Sequence, residues 1–272
     1  MASDVPSDPP PSATSAYDYH LPPARIAQRP ASPRDTARLL VVDRGAEGFV
    51  HATFRDLPRF LHPGDLLILN VSRVLRARLR GRRPTGGQAE VLLVEPAEPA
   101  PPETARRWRA LVRPGRAAHP GGRILIGPDW SVDVEASGQE GMARVRLSGP
   151  EATAALLQQH GHVPLPPYIR RPDEPADGED YQTVYATEDG SVAAPTAGLH
   201  FTPRLLDEVA AAGARTAEIV LHVGPGTFRP VKERDLRRHR LHAESFSIPP
   251  ATSAAIEAAR REGGRLVCVG TT

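Results

Sequence analysis

Residues 202–223, TPRLLDEVAAAGARTAEIVLHV, carry the change of pattern that decides the fold. Thr202 and Pro203 are typical of a helix start, with threonine as the N-cap and proline at the first helical position. Gly213 is placed to end this helix, and Ala214–Val223 then has the apolar character of a strand. The stretch therefore predicts a helix that leads directly into a strand.

Further helices and strands flank this stretch. Ala251–Glu262 predicts a helix that ends at two glycines, and Arg265–Gly270 predicts a strand after it. Glu151–His160 (EATAALLQQH) predicts another helix, which Gly161 ends. Strands and helices that alternate at this spacing favour βαβ crossovers, and hence an α/β layer.

A different pattern covers residues 65–149, where short alternating runs are separated by Gly/Pro turns, as in a small barrel or sandwich. The runs are DLLILN, VLRARLRG, QAEVLLVE, WRALVRPG, RILIG, WSVDVEA and ARVRLSG. We expect a multi-domain α/β fold, in which an α/β layered domain with a mixed sheet (residues 17–65 with 150–272) holds an inserted small all-β, barrel-like domain (residues 66–149). Residues 1–16, rich in Pro, Ser and Ala, are predicted to be a disordered tail.

The composition is that of an ordinary globular protein, with 40% hydrophobic and 24% charged residues and a net charge of +2. No apolar run approaches the roughly 18 residues of a membrane span, and the N-terminus lacks the basic and apolar segments of a secretory signal. We therefore expect a cytoplasmic protein. Cys268, the one cysteine, lies in an apolar run and is predicted to be buried and inert.

The basic residues are almost all arginine, since Lys232 is the single lysine. Arginines cluster within residues 76–83 and again within residues 234–240. GC-rich coding would produce this preference without a functional cause, and most charge runs are solvated faces. The alternative is a basic face for a polyanion, because the arginine fork suits phosphate.

Two Gly/His segments in the C-terminal half suggest a ligand site. In SVAAPTAGLHFTP (residues 191–203), the small side chains before His200 let a ligand approach the backbone, and the helix start offers free N–H groups. A tight structural turn would use similar residues. In LHVGPGTFRP (residues 221–230), His222 ends a predicted strand and a glycine-rich turn follows, which is where open α/β sheets bind ligands. A lone histidine is more often structural, but two such loops in one domain favour a binding site.

Other constellations carry weaker signals. The pairs His160/His162 and His239/His242 have spacings that suit a metal, but 10 histidines produce such pairs by chance, and no metal site is predicted. Glu244 forms either a functional pair with His242 or a surface salt bridge.

The Pro-rich strip GHVPLPPYIRR (residues 161–171) is either a connector or a groove wall with Tyr168 exposed to stack on a base. The sequence contains no Walker loop, no GxGxxG after an early strand and no GxSxG elbow. These absences argue against NTPase, dehydrogenase and esterase functions.

Taken together, the segments resemble the S-adenosylmethionine:tRNA ribosyltransferase-isomerase family of queuosine biosynthesis. The matching stretches follow the family's order from Tyr17 to the end of the chain: YDYHLPPARIAQRP, RDTARLLVVDR, LHPGDLLILNVSRVLRARLRGRR, TGGQAEVLLVE, WRALVRPGR, GHVPLPPYIRRPDE, YQTVYATEDGSVAAPTAGLHFTPRLL, LHVGPGTFRPV and GGRLVCVGTT.

The resemblance implies transfer and isomerisation of the ribosyl part of S-adenosylmethionine. The acceptor would be 7-aminomethyl-7-deazaguanine at the wobble position of tRNA, and the products epoxyqueuosine, adenine and methionine. S-adenosylmethionine would be a consumed co-substrate, with no other cofactor and no metal. We expect S-adenosylmethionine and tRNA as partners, no membrane contact, and a monomer.

Imidazoles suit the proton transfers of this reaction, so His200 and His222 are the catalytic candidates. Substrate binding is assigned to Thr196, Gly198, Gly224, Gly226, Thr227 and Glu244. tRNA binding is assigned to Arg73, Arg76, Tyr168 and Arg229.

The chain departs from the family pattern at several places. It has Val71 in place of an aspartate, Ala37 in place of a serine and Pro225 in place of an alanine. Family members continue for several tens of residues beyond Thr272, so the α/β domain is expected to be C-terminally truncated. The alternative function is therefore a catalytically inactive or truncated paralogue that binds RNA or nucleoside. A methyltransferase is disfavoured, because the glycine-rich loop after a first strand is missing.

Overall fold

A computed structural model of the protein describes residues 10–46, 48–228, 231–240 and 243–270. Its strands, in chain order, are β1 (Arg38–Val42), β2 (Phe49–Thr53), β3 (Leu66–Asn70), β4 (Ser72–Val74), β5 (Arg78–Arg82), β6 (Gln88–Pro96), β7 (Arg107–Arg113), β8 (Arg123–Ile126), β9 (Trp130–Ser137), β10 (Met142–Ser148), β11 (Gly161–His162), β12 (Glu188–Ser191), β13 (Arg215–Leu221), β14 (Phe246–Ser247) and β15 (Leu266–Cys268). The α-helices are α1 (Thr153–His160), α2 (Asp177–Asp180), α3 (Pro203–Ala211) and α4 (Pro250–Arg261). Within the described ranges, no helix is both long and apolar enough to cross a membrane.

Strands β5 to β10 form a closed six-stranded antiparallel barrel in the order β5-β6-β7-β10-β9-β8, and β11 extends it beside β5. Alternate residues point inward, so that Trp108, Ala110 and Val112 of β7 lie in the barrel core while their neighbours are more exposed. The barrel closes where β5 meets β8, and a Cβ on Gly81 would lie 2.2 Å from the carbonyl oxygen of Leu125. Closure therefore requires a glycine at this position.

The second main sheet has the order β14-β13-β3-β15, with β13 and β15 both parallel to the central strand β3. All five residues of β3 are buried. Leu67 and Leu69 face α3, while Leu66 and Ile68 face α4, so helices cover both sides of the strand. The mixed α/β fold and the βαβ crossovers predicted from the sequence are confirmed.

The predicted helix start at Thr202 is confirmed in detail. The hydroxyl of Thr202 accepts a hydrogen bond from the backbone N–H of Leu205 at 3.1 Å, and Pro203 occupies the first helical position. Gly213 has a φ of +82° and ends the helix before β13 begins. Both boundaries therefore agree with the local residue preferences.

Three sequence-based expectations are corrected. The run DLLILN was grouped with the barrel strands, but β3 is the centre of the parallel sheet, because five successive buried residues suit a strand covered on both faces. Residues 10–16 were placed in a disordered tail, but Ala13 forms a β-bridge with Asp235. Cys268 was expected to be buried, but it is exposed, because β15 is an edge strand of the described sheet. The division of the chain into domains stays a prediction.

Candidate active site

One buried side chain, Asn70, joins the carboxyl ends of the parallel strands β3 and β13. Its Nδ2 donates a hydrogen bond to the carbonyl oxygen of Leu221 at 2.8 Å. Its Oδ1 accepts from the backbone N–H groups of Leu221 at 3.0 Å and Ser72 at 3.1 Å. Because Asn70 is only 4% exposed, these bonds satisfy groups that water does not reach. Asn70 thereby fixes the backbone immediately before His222.

Ser191 connects the two Gly/His segments. Its Oγ donates to the hydroxyl of Ser72 at 2.7 Å and accepts from the backbone N–H of Val223 at 3.0 Å. The carbonyl oxygen of Val223 in turn accepts from the N–H groups of Val192 and Ala193 at 3.0 and 3.1 Å. The two segments that the sequence singled out therefore lie side by side at the strand ends.

His222 is half-buried at the end of β13 and lines a cavity of about 400 Å³, the His222 cavity. Burial lowers the pKa of its imidazole below the usual value, and the carboxylate of Glu188 opposes this shift. The Nδ1 atom is buried and has no hydrogen-bond partner among the described residues. A half-buried imidazole of lowered pKa at the wall of a cavity is suited to accepting a proton from a bound molecule.

The His222 cavity lies between the barrel and the ends of the parallel strands. Val94, Arg109 and Met142 of the barrel line one wall. The other wall includes Glu244, whose Oε1 accepts the backbone N–H of Gly224 at 2.8 Å. This bond fixes a carboxylate beside the glycine-rich turn, where it can balance a positive charge on a ligand.

His200 lines a separate cavity of about 260 Å³, the His200 cavity, which also includes Thr196 and Tyr168. The Nδ1 of His200 lies 3.1 Å from the carbonyl oxygen of Ala197. A carbonyl oxygen can only accept, so Nδ1 carries the hydrogen and the neutral ring keeps Nε2 as its acceptor. The ring centroid of Phe54 lies 5.1 Å away and supports the imidazole.

A third cavity of about 730 Å³, the basic cavity, adjoins both others. Leu165 lines it together with the His200 cavity, and Pro225 lines it together with the His222 cavity.

The structure distributes the predicted site residues over several places. His222, Gly224 and Glu244 share the His222 cavity, and His200, Thr196 and Tyr168 share the His200 cavity. Gly226 lines the basic cavity and Thr227 is exposed beside it. Gly198 packs against Tyr185, whose hydroxyl would lie 2.2 Å from an added Cβ. The roles assigned to these residues stay predictions.

The arginines chosen for tRNA contact lie elsewhere. Arg73 donates to the carbonyl oxygen of Ala186 at 2.9 Å and faces Asp189 at 3.8 Å. Arg73 and Arg76 are both exposed and line none of the three cavities. Arg229 lies outside the described residues, and so does His242, the suggested partner of Glu244.

Sequence reasoning missed the residues that hold the site together. Asn70 and Ser191 make the bonds described above, and Gly190 lies against the His222 ring. Val71, whose identity raised the question of a lost aspartate, is 3% exposed and belongs to the core. An asparagine at the end of a wholly apolar strand was the one available signal, because a buried amide needs partners. Gly190 offered no comparable signal.

Within the described residues no group of three or more His, Cys, Asp or Glu side chains could hold a metal ion. Of the pairs considered from the sequence, His162 bonds Asp173 at 3.0 Å, whereas His160 packs against Gly127. Both observations account for these histidines as structural contacts.

Comparisons with a family model and with known proteins agree on one enzyme family. A family model described as queuosine biosynthesis protein matches residues 14–272. The S-adenosylmethionine:tRNA ribosyltransferase-isomerases of Moorella thermoacetica and Thermus thermophilus are each 48% identical to this chain, over 259 and 266 residues. These matches span 94% of this chain and 73% and 74% of the two relatives.

One solved structure is also similar, a crystal structure of an S-adenosylmethionine tRNA ribosyltransferase from Thermotoga maritima. It is 32% identical, the TM-score is 0.40, and the match covers 93% of this chain and 68% of that chain.

Proposed function

This chain belongs to the family of queuosine biosynthesis proteins, and we propose that it is an S-adenosylmethionine:tRNA ribosyltransferase-isomerase. The ribosyl part of S-adenosylmethionine is transferred to the aminomethyl group of 7-aminomethyl-7-deazaguanine at the tRNA wobble position. Rearrangement of the sugar gives epoxyqueuosine in the tRNA, and adenine and methionine leave. S-adenosylmethionine is consumed as a substrate, and no metal or other cofactor takes part.

The observation that carries this proposal is the 48% identity along 94% of the chain. It is supported by the bonds through Ser191 that hold the two Gly/His segments together. The alternative, an inactive paralogue that only binds RNA or nucleoside, is not favoured. A protein that only binds has no need for a half-buried imidazole of lowered pKa in the same cavity as a fixed carboxylate.

His222 is proposed as the base that starts the rearrangement. The sulfonium makes the neighbouring C5′ hydrogens of the donor acidic, so a neutral imidazole beside them can remove a proton. The lowered pKa of His222 keeps the ring neutral at neutral pH. Glu244, held by the N–H of Gly224, balances the positive charge of the sulfonium.

His200 is proposed to handle the second proton transfer: it takes a proton from the acceptor amine and, once protonated, gives a proton to the departing adenine. Its Nδ1 is bonded to the carbonyl oxygen of Ala197, which leaves Nε2 to accept a proton. Thr196 and Thr227 orient the sugar, and Gly198, Gly224 and Gly226 let it approach the backbone. Tyr168, 46% exposed at the His200 cavity, stacks on a base. Arg73, Arg76 and Arg229 contact phosphate.

Adenine release tests the proposal. The protein is incubated with S-adenosylmethionine and tRNA carrying the aminomethyl base, and free adenine is quantified. We expect release by the wild type and a loss of roughly 100-fold or more in His222→Ala, which removes the base. His51→Ala is the matched control, because His51 is exposed on β2 and lines none of the three cavities.

Each negative result has a separate meaning. Tight tRNA binding without adenine release by the wild type would favour the inactive paralogue. Formation of S-adenosylhomocysteine would indicate methyl transfer instead. Equal rates in His222→Ala and the wild type would remove His222 from the mechanism.

We further propose that the protein acts as a monomer in the cytoplasm, where tRNA is modified.

A further inference from the structure

The largest of the three cavities has a strongly basic lining. It lies between strands β5 to β7 of the barrel and residues 225–226 and 232–240. Its cationic side chains are Arg78, Arg113, Lys232, Arg238 and Arg240, against the carboxylates Glu90 and Glu233. The excess of positive charge in one concave surface predicts an anionic occupant.

The cations come from parts of the chain that are distant in sequence. Arg78 belongs to the first arginine cluster, within residues 76–83, and Arg238 and Arg240 belong to the second, within residues 234–240. The fold brings members of both clusters to one cavity. Concentrating like charges costs electrostatic energy, and a polyanion bound in the cavity would compensate that cost.

Several of these arginines lack partners. Arg113, Arg238 and Arg240 are exposed, and none forms an ion pair with a carboxylate of the described residues. The barrel also carries arginines that are paired: Arg107 lies 3.0 Å from Glu98. The cavity therefore contains three cations that no carboxylate of the described residues neutralises.

Arg78 gives a second indication. Its side chain is 22% exposed, and its Nε is buried without a hydrogen-bond partner in the described part of the chain. Glu90 lies 3.7 Å away, too far for a hydrogen bond. Its Nη2 donates to the carbonyl oxygen of Leu165 at 3.3 Å, so Arg78 contributes a fixed positive charge to the cavity wall.

The position of the basic cavity identifies the kind of polyanion. It adjoins the His200 cavity at Leu165 and the His222 cavity at Pro225. Neither His200 nor His222 lines it, but a polyanion lying in it would be next to the cavity of each histidine. Enzymes that modify a base take that base out of its stack, and the backbone on either side must then be held. We propose that the basic cavity binds the sugar-phosphate backbone of the RNA loop that carries the acceptor base.

This inference rests on the proposed function, which makes tRNA the acceptor. It adds Arg113 as an RNA-contact residue, and it gives Arg238 and Arg240 of the second arginine cluster a defined place in that contact. Each is expected to contribute mainly to affinity, so their loss should raise the KM for RNA and leave kcat unchanged.

A matched pair of double variants tests the inference. Arg113→Ala/Arg240→Ala removes two exposed cations from the cavity. Arg260→Ala/Arg261→Ala removes two exposed cations from the end of α4 and changes the net charge equally. The Kd of a fluorescent anticodon stem-loop RNA is measured by anisotropy at several salt concentrations. We expect the Kd of the cavity variant to rise about ten-fold or more, and that of the control to stay within about two-fold.

The salt dependence supplies a second readout. Each lost phosphate contact should reduce the slope of log Kd against log salt by about 0.7, the value for single strands. Equal weakening in both double variants, or none in either, would overturn the inference, because affinity would then not depend on this cavity.

Adenine release separates this inference from the proposed function. If the wild type binds RNA but releases no adenine, the proposed function fails, and the anisotropy comparison still decides the cavity. If the wild type releases adenine and the cavity variant has an unchanged KM for RNA, the inference alone fails.

Discussion

Gly190 lies directly against the imidazole of His222, so that a Cβ at position 190 would be 2.5 Å from Cε1 of the ring. The φ of Gly190 is +146°, a conformation that residues with side chains rarely adopt. The ring of His222 therefore has its place only because residue 190 has no side chain.

Gly190→Ala should displace the His222 ring and lower kcat for adenine release by about ten-fold or more, because catalytic groups tolerate little misplacement. Gly86→Ala is the control: Gly86 also has a positive φ, +86°, but an added Cβ meets nothing within 4 Å. Backbone strain should cost each variant about 1–3 kcal/mol of stability, and Gly190→Ala has the contact with the ring in addition. Normal kcat in Gly190→Ala would show that the contact has no role in positioning.

The pH dependence of adenine release should reflect the lowered pKa of His222. The ring stays neutral at pH values where an ordinary histidine, with a pKa of about 6.5, is half protonated. We expect kcat/KM to hold its value as the pH falls to about 6.5 and to decline only below that. Glu188→Gln removes the carboxylate that opposes the shift, so the decline should begin at a still lower pH. A decline that moves to higher pH in this variant would contradict the assignment.

The same pKa shift affects stability in a defined direction. Below about pH 6.5 the unfolded chain takes up a proton at position 222 before the folded protein does. The contribution of neutral His222 to stability is therefore present at neutral pH and lost as the pH falls. Denaturant unfolding of the wild type and His222→Gln at several pH values measures it, and the difference in pH dependence should disappear above about pH 7.

Asn70→Ala should impair both folding and catalysis. It leaves the N–H and C=O of Leu221 and the N–H of Ser72 without their buried partner, at a cost of about 3 kcal/mol. Because the backbone before His222 loosens, kcat should fall more than the KM for S-adenosylmethionine rises.

Thr153→Ala is the control for this variant. The buried hydroxyl of Thr153 donates to the carbonyl oxygen of Ala105 beside the barrel, in a part of the chain that lines none of the three cavities. Its removal should cost about 1 kcal/mol and leave kcat unchanged. If both variants lose kcat in proportion to stability, Asn70 is structural only.

Asp65 and Arg265 form the ion pair on which the start of β3 depends. Asp65 is 1% exposed and bonds the Arg265 guanidinium, which holds the pKa of that carboxyl well below its usual range. Asp65→Asn should destabilise the protein by about 2 kcal/mol, a value reduced because Arg265 is half-exposed and can be solvated. Glu262→Gln breaks an exposed pair with Arg215 and should cost less than about 1 kcal/mol.

The pH dependence of this ion pair follows from the lowered pKa. The stabilisation is complete above the unfolded-state value of about 3.9 and is lost as the pH falls through lower values. Urea unfolding between about pH 3 and pH 7 should therefore show a larger loss of stability in the wild type than in Asp65→Asn. Parallel pH curves for the two proteins would contradict this account.

Local patterns in the sequence determined the secondary structure and much of the fold class. Thr202, Pro203 and Gly213 mark the bounds of α3 through backbone preferences that can be recognised from the sequence alone. The alternation in β7 predicted a barrel-type strand, because residues on its inner face are buried in the core and residues on its outer face are exposed to water. The two Gly/His segments were also recognised, since glycine and histidine have distinctive chemistry at any position.

Only the tertiary structure decided which residues meet. From its sequence, β3 resembles the strands of the barrel. It lies in the other sheet, because α3 and α4 cover its two faces. The hydrogen bond from Asn70 to Leu221 joins residues that are 151 positions apart in the sequence. His200 and His222 line separate cavities, and Arg78 and Arg240 both line the basic cavity. Such contacts depend on the packing of whole sheets, and a local sequence pattern contains no information about the partner that packing will supply.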